Sequence, residues 1–235
     1  MGRASSSKDD SVLMRILGII PARGGSKGIP KKNVKLLHGK PLIAYTIQAA
    51  LYSKLDKIVV STDCQEIAEL SESYGIDVII RSPHLAEDIT PTLPVLQDVI
   101  NKLEENYDAV MTLQPTSPLR TYHHINEAIN IFSNDNNADS LVSVVEVPHN
   151  FAPQKLMTYN GLYIQGENKI VRRQEIERIF ARNGAAIYIT RINRIDKYIF
   201  GGNILPYFMS KIDSFDIDDM DDWIIVEKIL QEKTI

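Results

Sequence analysis

The chain reads as an α/β protein with a mostly parallel sheet between helices, and three observations predict it. Short apolar runs recur along the first 150 residues, too short for helices and bounded by glycine, proline or acidic residues. Between them lie segments whose apolar residues repeat at helical spacing, as at Leu93, Leu96, Ile100 and Leu103. Strand and helix therefore alternate, which is the pattern of parallel βαβ units with right-handed crossovers.

Taken in order, Ile16–Ile20 is the first buried strand, and Gly39-Lys40-Pro41 opens a helix over 42–53, with Pro41 suited to its first turn. Lys57–Ser61 is a second strand, closed by Thr62-Asp63. Gln65–Tyr74 is a helix ended by Gly75. Asp77–Ile80 is the third strand, a helix carries Leu93–Leu103, and Ala109–Leu113 is the fourth strand. A helix capped by Thr121 follows, then a strand over Ser140–Val147. From Pro148 to about Arg182 the rhythm breaks into a polar stretch with a hairpin signal at Tyr159–Tyr163 and a charged run, Lys169–Arg178. This excursion is expected to serve dimerisation. Regular structure resumes at Ala185–Thr190, and the chain closes with Ser214–Asp218 and a helix from about Asp221 to Lys233. The expected organisation is a disordered leader or tag over 1–14, one α/β domain over 15–147 and 183–235, and the excursion over 148–182.

Ligands of such sheets sit beyond the carboxyl ends of the strands, so the loops starting at Pro21, Thr62, Arg81 and Gln114 are the ones to watch. The first of these dominates. Residues 21–33 hold Gly24, Gly25 and Gly28, two prolines and the cations Arg23, Lys27, Lys31 and Lys32 directly after a buried strand. Glycines admit close backbone approach and the positive φ of an anion nest, and the cations supply charge for a polyphosphate. The loop lacks the Walker pattern and the Gly-x-Gly-x-x-Gly spacing, and Pro30 interrupts the helix a dinucleotide fold would start there. A glycine-rich surface turn with solvated lysines is the plainer alternative. A nucleoside triphosphate cradle accounts for more of the residues.

Asp216 and Asp218 flank Ile217. In an extended segment their side chains share one face while Ile217 enters the core, and paired carboxylates suit a hard divalent cation. Complementing the last helix's N-terminus explains Asp221 and Asp222 but not Asp216. In Gln114-Pro-Thr-Ser-Pro-Leu-Arg120 two prolines stiffen a polar loop, although an ordinary Pro-Ser turn explains it equally well. His123 and His124, adjacent on a helix, face different ways and make no zinc pair. Cys64 lacks the partners of a nucleophile, and as the single cysteine it excludes an internal disulfide and fits a reducing compartment. Trp223 reads as packing. A net charge of −4 argues against a nucleic-acid surface, and no apolar run approaches a bilayer span, so the cytoplasm is the expected location.

Together, Pro-Ala-Arg-Gly-Gly-Ser-Lys-Gly-Ile-Pro-x-Lys-Asn (21–33), Leu-Gln-Pro-Thr-Ser-Pro-Leu-Arg (113–120), Arg-Asn-Gly-Ala (182–185) and Asp-Ile-Asp (216–218) resemble the bacterial CMP-sialic acid synthetases, whose close relatives act on legionaminic and pseudaminic acids. The resemblance implies a nucleotidyltransferase fold of the glycosyltransferase-A-like kind and a homodimer whose excursion reaches the partner's site. It also implies transfer of CMP from CTP to the anomeric hydroxyl of a nine-carbon 2-keto sugar acid, with release of pyrophosphate. Carried over by position, Ala22, Arg23, Gly24, Ser26, Lys32 and Asn33 hold the triphosphate, and Arg81 and Thr92 read the cytosine. Gln114, Tyr188, Phe200 and, from the excursion, Arg173 meet the sugar. Asp216 and Asp218 hold Mg²⁺, with Mn²⁺ as the alternative, and Arg23, Lys32 and the two aspartates form the catalytic set. The chain departs from the family at Ala181-Arg182, where many relatives carry arginine at the first position, and at the extra alanine of Asn183-Gly-Ala-Ala-Ile-Tyr188. Both departures lie where the sugar is expected, which points to a sialic acid relative such as legionaminic acid as acceptor beside the N-acetylneuraminic acid that the resemblance implies. Pseudaminic acid, the eight-carbon Kdo, and a catalytically silent nucleotide sensor are the alternatives.

Overall fold

The computed structural model describes residues 14–26, 28–87, 89–166 and 177–233. Residues 1–13 of the expected leader, Lys27 and Arg173 lie outside them. The chain runs β1 (Ile16–Pro21), β2 (Leu36–Leu37), β3 (Lys40–Pro41), α1 (Leu42–Leu51), β4 (Lys57–Thr62), α2 (Gln65–Ser73), β5 (Asp77–Ile80), α3 (Thr92–Lys102), β6 (Ala109–Thr112), α4 (Tyr122–Ser133) and β7 (Ser140–Glu146). It continues through β8 (Thr158–Tyr159), β9 (Ile164–Gln165), β10 (Phe180–Arg182), β11 (Tyr188–Arg191), β12 (Ile204–Phe208) and α5 (Met220–Lys233).

The first strand is central because its run of apolar residues can be buried on both faces. It pairs in parallel with β4 on one side and β6 on the other, and β5 extends the sheet in parallel beyond β4. Alternation along the strand splits the core. Ile16 and Ile20 join Ile43, Ile47, Ile67 and Phe132 under α1, α2 and α4, whereas Leu17 and Ile19 pack with Leu96 and Val99 of α3. Past β6, β11 runs antiparallel between β6 and β7. That reversal leaves β7, and β12 parallel to it, pointing the same way as β1. The carboxyl ends of six strands therefore open on one edge.

A third cluster decides where the site can be. Ile29 of the cationic loop, Leu37, Leu42 and Leu119 pack with Ile217, Trp223 and Val226, all buried. Full burial of each aliphatic side chain contributes about 1.5–3 kcal/mol. The cluster thus pins a loop near the chain's start against the acidic segment near its end.

Four expectations need correction. Residues 185–187 are not strand: Gly184 and Ala185 take left-handed φ values of 62° and 57°, and β11 begins only at Tyr188. Residues 216–218 belong to no strand, although Ile217 is buried as expected. The excursion returns early, because β10 pairs antiparallel with β7 from Phe180 onward. Finally, β12 has no counterpart in the expected elements. Its Pro206 deprives it of an alternating pattern, and proline is tolerated because β12 pairs β7 along one side, opposite β10 and β11, and so forms an edge.

Candidate active site

The loop after β1 is held from three directions. The Ala22 amide donates to the Ser61 carbonyl (2.9 Å), the Gly24 amide donates to Asp63 Oδ1 (3.0 Å), and the buried Asn33 donates from Nδ2 to the Arg23 carbonyl (3.0 Å). Gly24 and Gly28 serve close approach and not the positive φ expected of them, while a Cβ on Gly25 would meet nothing within 4 Å. A Cβ on Gly24 would sit 2.8 Å from the Cβ of Cys64, and one on Gly28 would sit 2.4 Å from the Asp218 carbonyl oxygen. Positive φ in this loop falls on Lys31 instead, at 52° among the described residues. Because the amides of Ala22 and Gly24 are already engaged, side chains carry most of what the loop offers an anion.

Two cavities open off this loop. One, of about 300 Å³, is lined by Arg23, Ser26, Lys32, Asn33, Gln114 and Asp218 among others. The second, of about 230 Å³, is lined by Arg81, Thr90, Thr92 and Val95, and shares Pro21, Arg23 and Gln114 with the first. Arg23 and Gln114 therefore stand between a charged chamber and a more enclosed one. Lys32 Nζ donates to the Ile217 carbonyl (2.6 Å), which ties the loop to the segment that carries the two aspartates. Lys31 turns away to Glu66 (2.7 Å).

Asp216 is held by neighbours on every side. Ser117 Oγ donates to its Oδ1 (3.2 Å), the adjacent Ile217 amide donates to the Thr116 carbonyl (2.8 Å), and the carboxylate occupies the space where Gly184 has no side chain. Burial pushes the Asp216 carboxyl above the ordinary range, and the Asp218 charge adds to the rise against hydrogen bonds from Thr116 and Ser117 and the charge of Lys32. Asp218 is exposed and faces the larger chamber. Two carboxylates whose mutual repulsion raises one of them are a donor set that fits a hard divalent cation. Among the described residues no group of three or more metal-ligating side chains is found, so water and substrate oxygens would complete such a shell.

Arg81 is 6% exposed, with Nη2 donating to the Ser61 carbonyl and Nη1 to the Leu85 carbonyl (3.4 Å), while Nε has no partner. Burial lowers its pKa and nearby Arg23 lowers it further, with Asp63 opposing. Thr92 opens α3 at the same chamber. Tyr188 is buried and packs edge-on against Phe200 (5.1 Å), over which the Arg182 guanidinium lies at 4.7 Å. The register of Tyr188 is settled by its pairing with Thr112 at the carboxyl end of β6.

Two residues within the quoted motifs were given no role by sequence reasoning. Asn183 is buried where Ser143 Oγ donates to its Oδ1 (2.6 Å) and its Nδ2 donates to Ser214 Oγ (2.9 Å), tying β7 to the segment that leads into Asp216. Arg120 is fully buried. Its Nη1 donates to the carbonyls of Gln114 (3.1 Å) and Ala186 (2.7 Å) and its Nη2 to Thr46 Oγ1 (2.6 Å), while Nε has no partner. Burial pushes its pKa down to about 9, with Asp216 pulling the other way. Motif position is the only sequence signal that marked either.

A parallel sheet with a cationic loop and paired acids at its carboxyl edge defines a nucleotide-handling α/β protein. Residues 17–222 match the family described as Cytidylyltransferase, and the chain belongs to it. It is 37% identical over 219 residues to the N-acylneuraminate cytidylyltransferase of Streptococcus agalactiae serotype V, covering 91% of this chain and 52% of that protein. The chain thus spans about half the length of that relative. It is also 37% identical to the CMP-N,N'-diacetyllegionaminic acid synthase of Legionella pneumophila, covering 93% of this chain and 97% of that one. Among solved structures, a CMP:2-keto-3-deoxy-manno-octonic acid synthetase complexed with CTP superimposes with a TM-score of 0.74 at 18% identity, covering 93% of this chain and 99% of that one. The 4-diphosphocytidyl-2C-methyl-D-erythritol synthase of Anaerococcus prevotii does so at 0.62. At these identities they bear on the fold, which is that of the nucleotidyltransferases.

Proposed function

We propose that the protein transfers CMP from CTP to the anomeric hydroxyl of a nine-carbon 2-keto sugar acid, N-acetylneuraminic acid or a legionaminic acid, and releases pyrophosphate. One observation carries this reading: the cationic loop meets the acidic segment, with Asp218 lining one chamber beside Arg23, Ser26 and Lys32, and Lys32 bonded to the carbonyl of Ile217, the residue that joins Asp216 to Asp218. The relative that matches over nearly its full length is named for a legionaminic acid product.

The reaction brings a neutral hydroxyl to a phosphorus already surrounded by negative charge. The hydroxyl oxygen bonds to the α-phosphorus, the bond to the β-bridging oxygen breaks, and the hydroxyl proton passes to a carboxylate or to water. Arg23 and Lys32 offset the charge that develops on the departing pyrophosphate, while Ser26 and Asn33 orient the triphosphate from the same wall of the chamber. Arg81 and Thr92 receive the cytosine in the second chamber, where the unpartnered Nε of Arg81 is a donor for a base carbonyl or ring nitrogen. Gln114, standing between the chambers, orders nucleotide and acceptor, with Tyr188 and Phe200 forming an apolar wall for the sugar. Asp216 and Asp218 hold Mg²⁺ or Mn²⁺, which when bound neutralises phosphate charge and makes the attacking hydroxyl more acidic.

The nucleotidyltransferase domain in this reading is 15–147 with 180–235, β10 included. The segment 148–179 joins a second copy of the chain, which would bring Arg173 to an anion of the partner's substrate. The exposed Phe151, Leu156, Met157, Tyr159, Leu162 and Tyr163 support that role. Catalysis in this reading takes place in the cytoplasm. Among the described residues no helix is long and apolar enough to cross a membrane.

Incubation with CTP and Mg²⁺ plus N-acetylneuraminic, legionaminic, pseudaminic or eight-carbon Kdo acid in turn, followed by pyrophosphate release, tests the reading. Turnover with one of the first two is expected. CTP binding by calorimetry with no pyrophosphate from any acceptor would replace the enzyme with a nucleotide sensor.

A further inference from the structure

The structure assigns to Arg120 a positioning role in this transfer: its guanidinium locks Gln114 and the turn at Gly184–Ala186 into one geometry, and so sets the acceptor side of the site against Asp216. The inference rests on the proposed reaction. Its grounds are geometric. The three acceptors of Arg120 come from three separate segments, Thr46 of α1, Gln114 after β6 and Ala186 before β11. Two of the three segments reach the site, one through Gln114 and the other through Gly184 against Asp216, and none of the acceptors is charged. Gln114 lines both chambers, and its amide donates to the Ala185 carbonyl (3.2 Å), so Arg120 spans the two loops where they already touch. The second loop carries Gly184, whose bare Cα makes room for the Asp216 carboxylate.

A purely structural tie would not call for a cation. Burying an ion among neutral acceptors is costly, and apolar residues of like volume often replace buried charges without loss of stability. What the guanidinium supplies is a rigid planar fork that addresses several carbonyls at fixed angles, which lysine cannot reproduce. The charge of Asp216 favours its ionised form against the cost of burial. Apart from Gln114, the residues that line the second chamber, Arg81, Thr90, Thr92 and Val95 among them, supply none of its acceptors. Nucleotide binding and turnover should therefore separate when the fork is lost.

The test compares wild type with Arg120→Met, Arg120→Lys and Thr46→Val in the full chain, reading pyrophosphate release, CTP affinity by calorimetry and Tm. Arg120→Met is expected to lower kcat about a hundredfold, with CTP affinity held within about threefold, the split that marks an interaction made beyond ground-state binding. Arg120→Lys recovers part of the loss. Thr46→Val, which removes one acceptor at nearly constant volume, lowers kcat several-fold, and with Arg120→Lys it decides the matter if Arg120→Met does not fold. Unchanged kcat in Thr46→Val and Arg120→Lys overturns the role, as does an equal fall of kcat and CTP affinity with no benefit from lysine. Absence of turnover in the wild type with every acceptor overturns the reaction itself, and the two failures are thereby told apart.

Discussion

Gly184→Ala puts one methyl group into the space that the Asp216 carboxylate now holds. An ideal Cβ there lies 2.1 Å from Oδ2, 2.3 Å from Cγ and 2.7 Å from Oδ1, whereas ordinary contact begins at 3.4 Å. The nearest oxygen must retreat by about 1.3 Å (3.4 less 2.1) to restore ordinary packing. Gly184 also has φ 62°, a conformation that costs an alanine about 1–2 kcal/mol. Stability should fall by at least that amount, or about 2–8 °C in Tm for a domain of this size. Displacement of a reacting group by about 1 Å costs about a hundredfold in rate, and kcat should drop accordingly with CTP affinity little changed. The assay is pyrophosphate release beside thermal unfolding, run also in an Asp216→Ala background. There the methyl meets no carboxylate, so only the backbone penalty should remain and turnover should fall no further. A Gly184→Ala enzyme with wild-type kcat would refute the placement of Asp216 at the reacting centre.

Asp216→Asn and Asp218→Asn should each lower turnover far more than CTP affinity, and full activity in either would remove the metal assignment. In metal-free protein the Asp216 carboxyl, followed by NMR, should titrate above the ordinary carboxylate range, because burial and Asp218 both raise it. Asp218→Asn should shift that titration to lower pH, and Lys32→Met should shift it upward. The linked stability has the opposite sense to that of a paired acid. A raised folded-state pKa favours the fold below the unfolded value and loses that contribution as pH rises through the folded one, so Asp216→Asn should hold or raise Tm at pH 7 by calorimetry. Ile217→Ala should destabilise by about 2–5 kcal/mol and weaken CTP binding too, since Ile217 shares its cluster with Ile29 of the cationic loop. Tyr159→Asp with Tyr163→Asp should move the protein toward monomer in sedimentation, an unchanged mass counting against the excursion as the interface.

The sheet through β6 was legible because each strand there is a run of apolar residues with β-branched members and each helix presents one apolar stripe; Asp77–Ile80 is strand in both accounts. Legibility failed where tertiary contact overrides local pattern. Nothing in Ile204-Leu-Pro-Tyr-Phe208 announces a strand, since it pairs on one side only. Nothing in Ala185-Ala-Ile187 announces a turn, since an alanine at φ 57° is held there by the Gln114 amide and its neighbours. Two glycines of the cationic loop are necessary for a reason other than positive φ: Gly24 and Gly28 make room for Cys64 and Asp218, partners 40 and 190 residues away. The roles of Arg120 and Asn183 depend on burial, which sequence position alone does not disclose.

These misreadings share a physical cause that bears on how the site works. Most of its parts are individually unfavourable: two arginines buried with unpartnered Nε atoms, a carboxylate raised by desolvation and by its neighbour, and an alanine in the left-handed region. Each conflicts with local preference, and such conflicts gather where the surrounding structure can override them. Here the override is the cluster of Ile29, Leu37, Leu42, Leu119, Ile217, Trp223 and Val226, which lies directly beneath the chamber and uses only apolar packing. A triphosphate with its cation would relieve several conflicts together, giving Arg81 an acceptor, the aspartates a counter-charge and Lys32 an alternative to the Ile217 carbonyl. A ligand at about a hundred times its dissociation constant adds about 2.7 kcal/mol to the folded state. In this site that gain comes from groups that oppose folding while the chamber lacks a ligand, so the same side chains that cost stability select for the charged substrate.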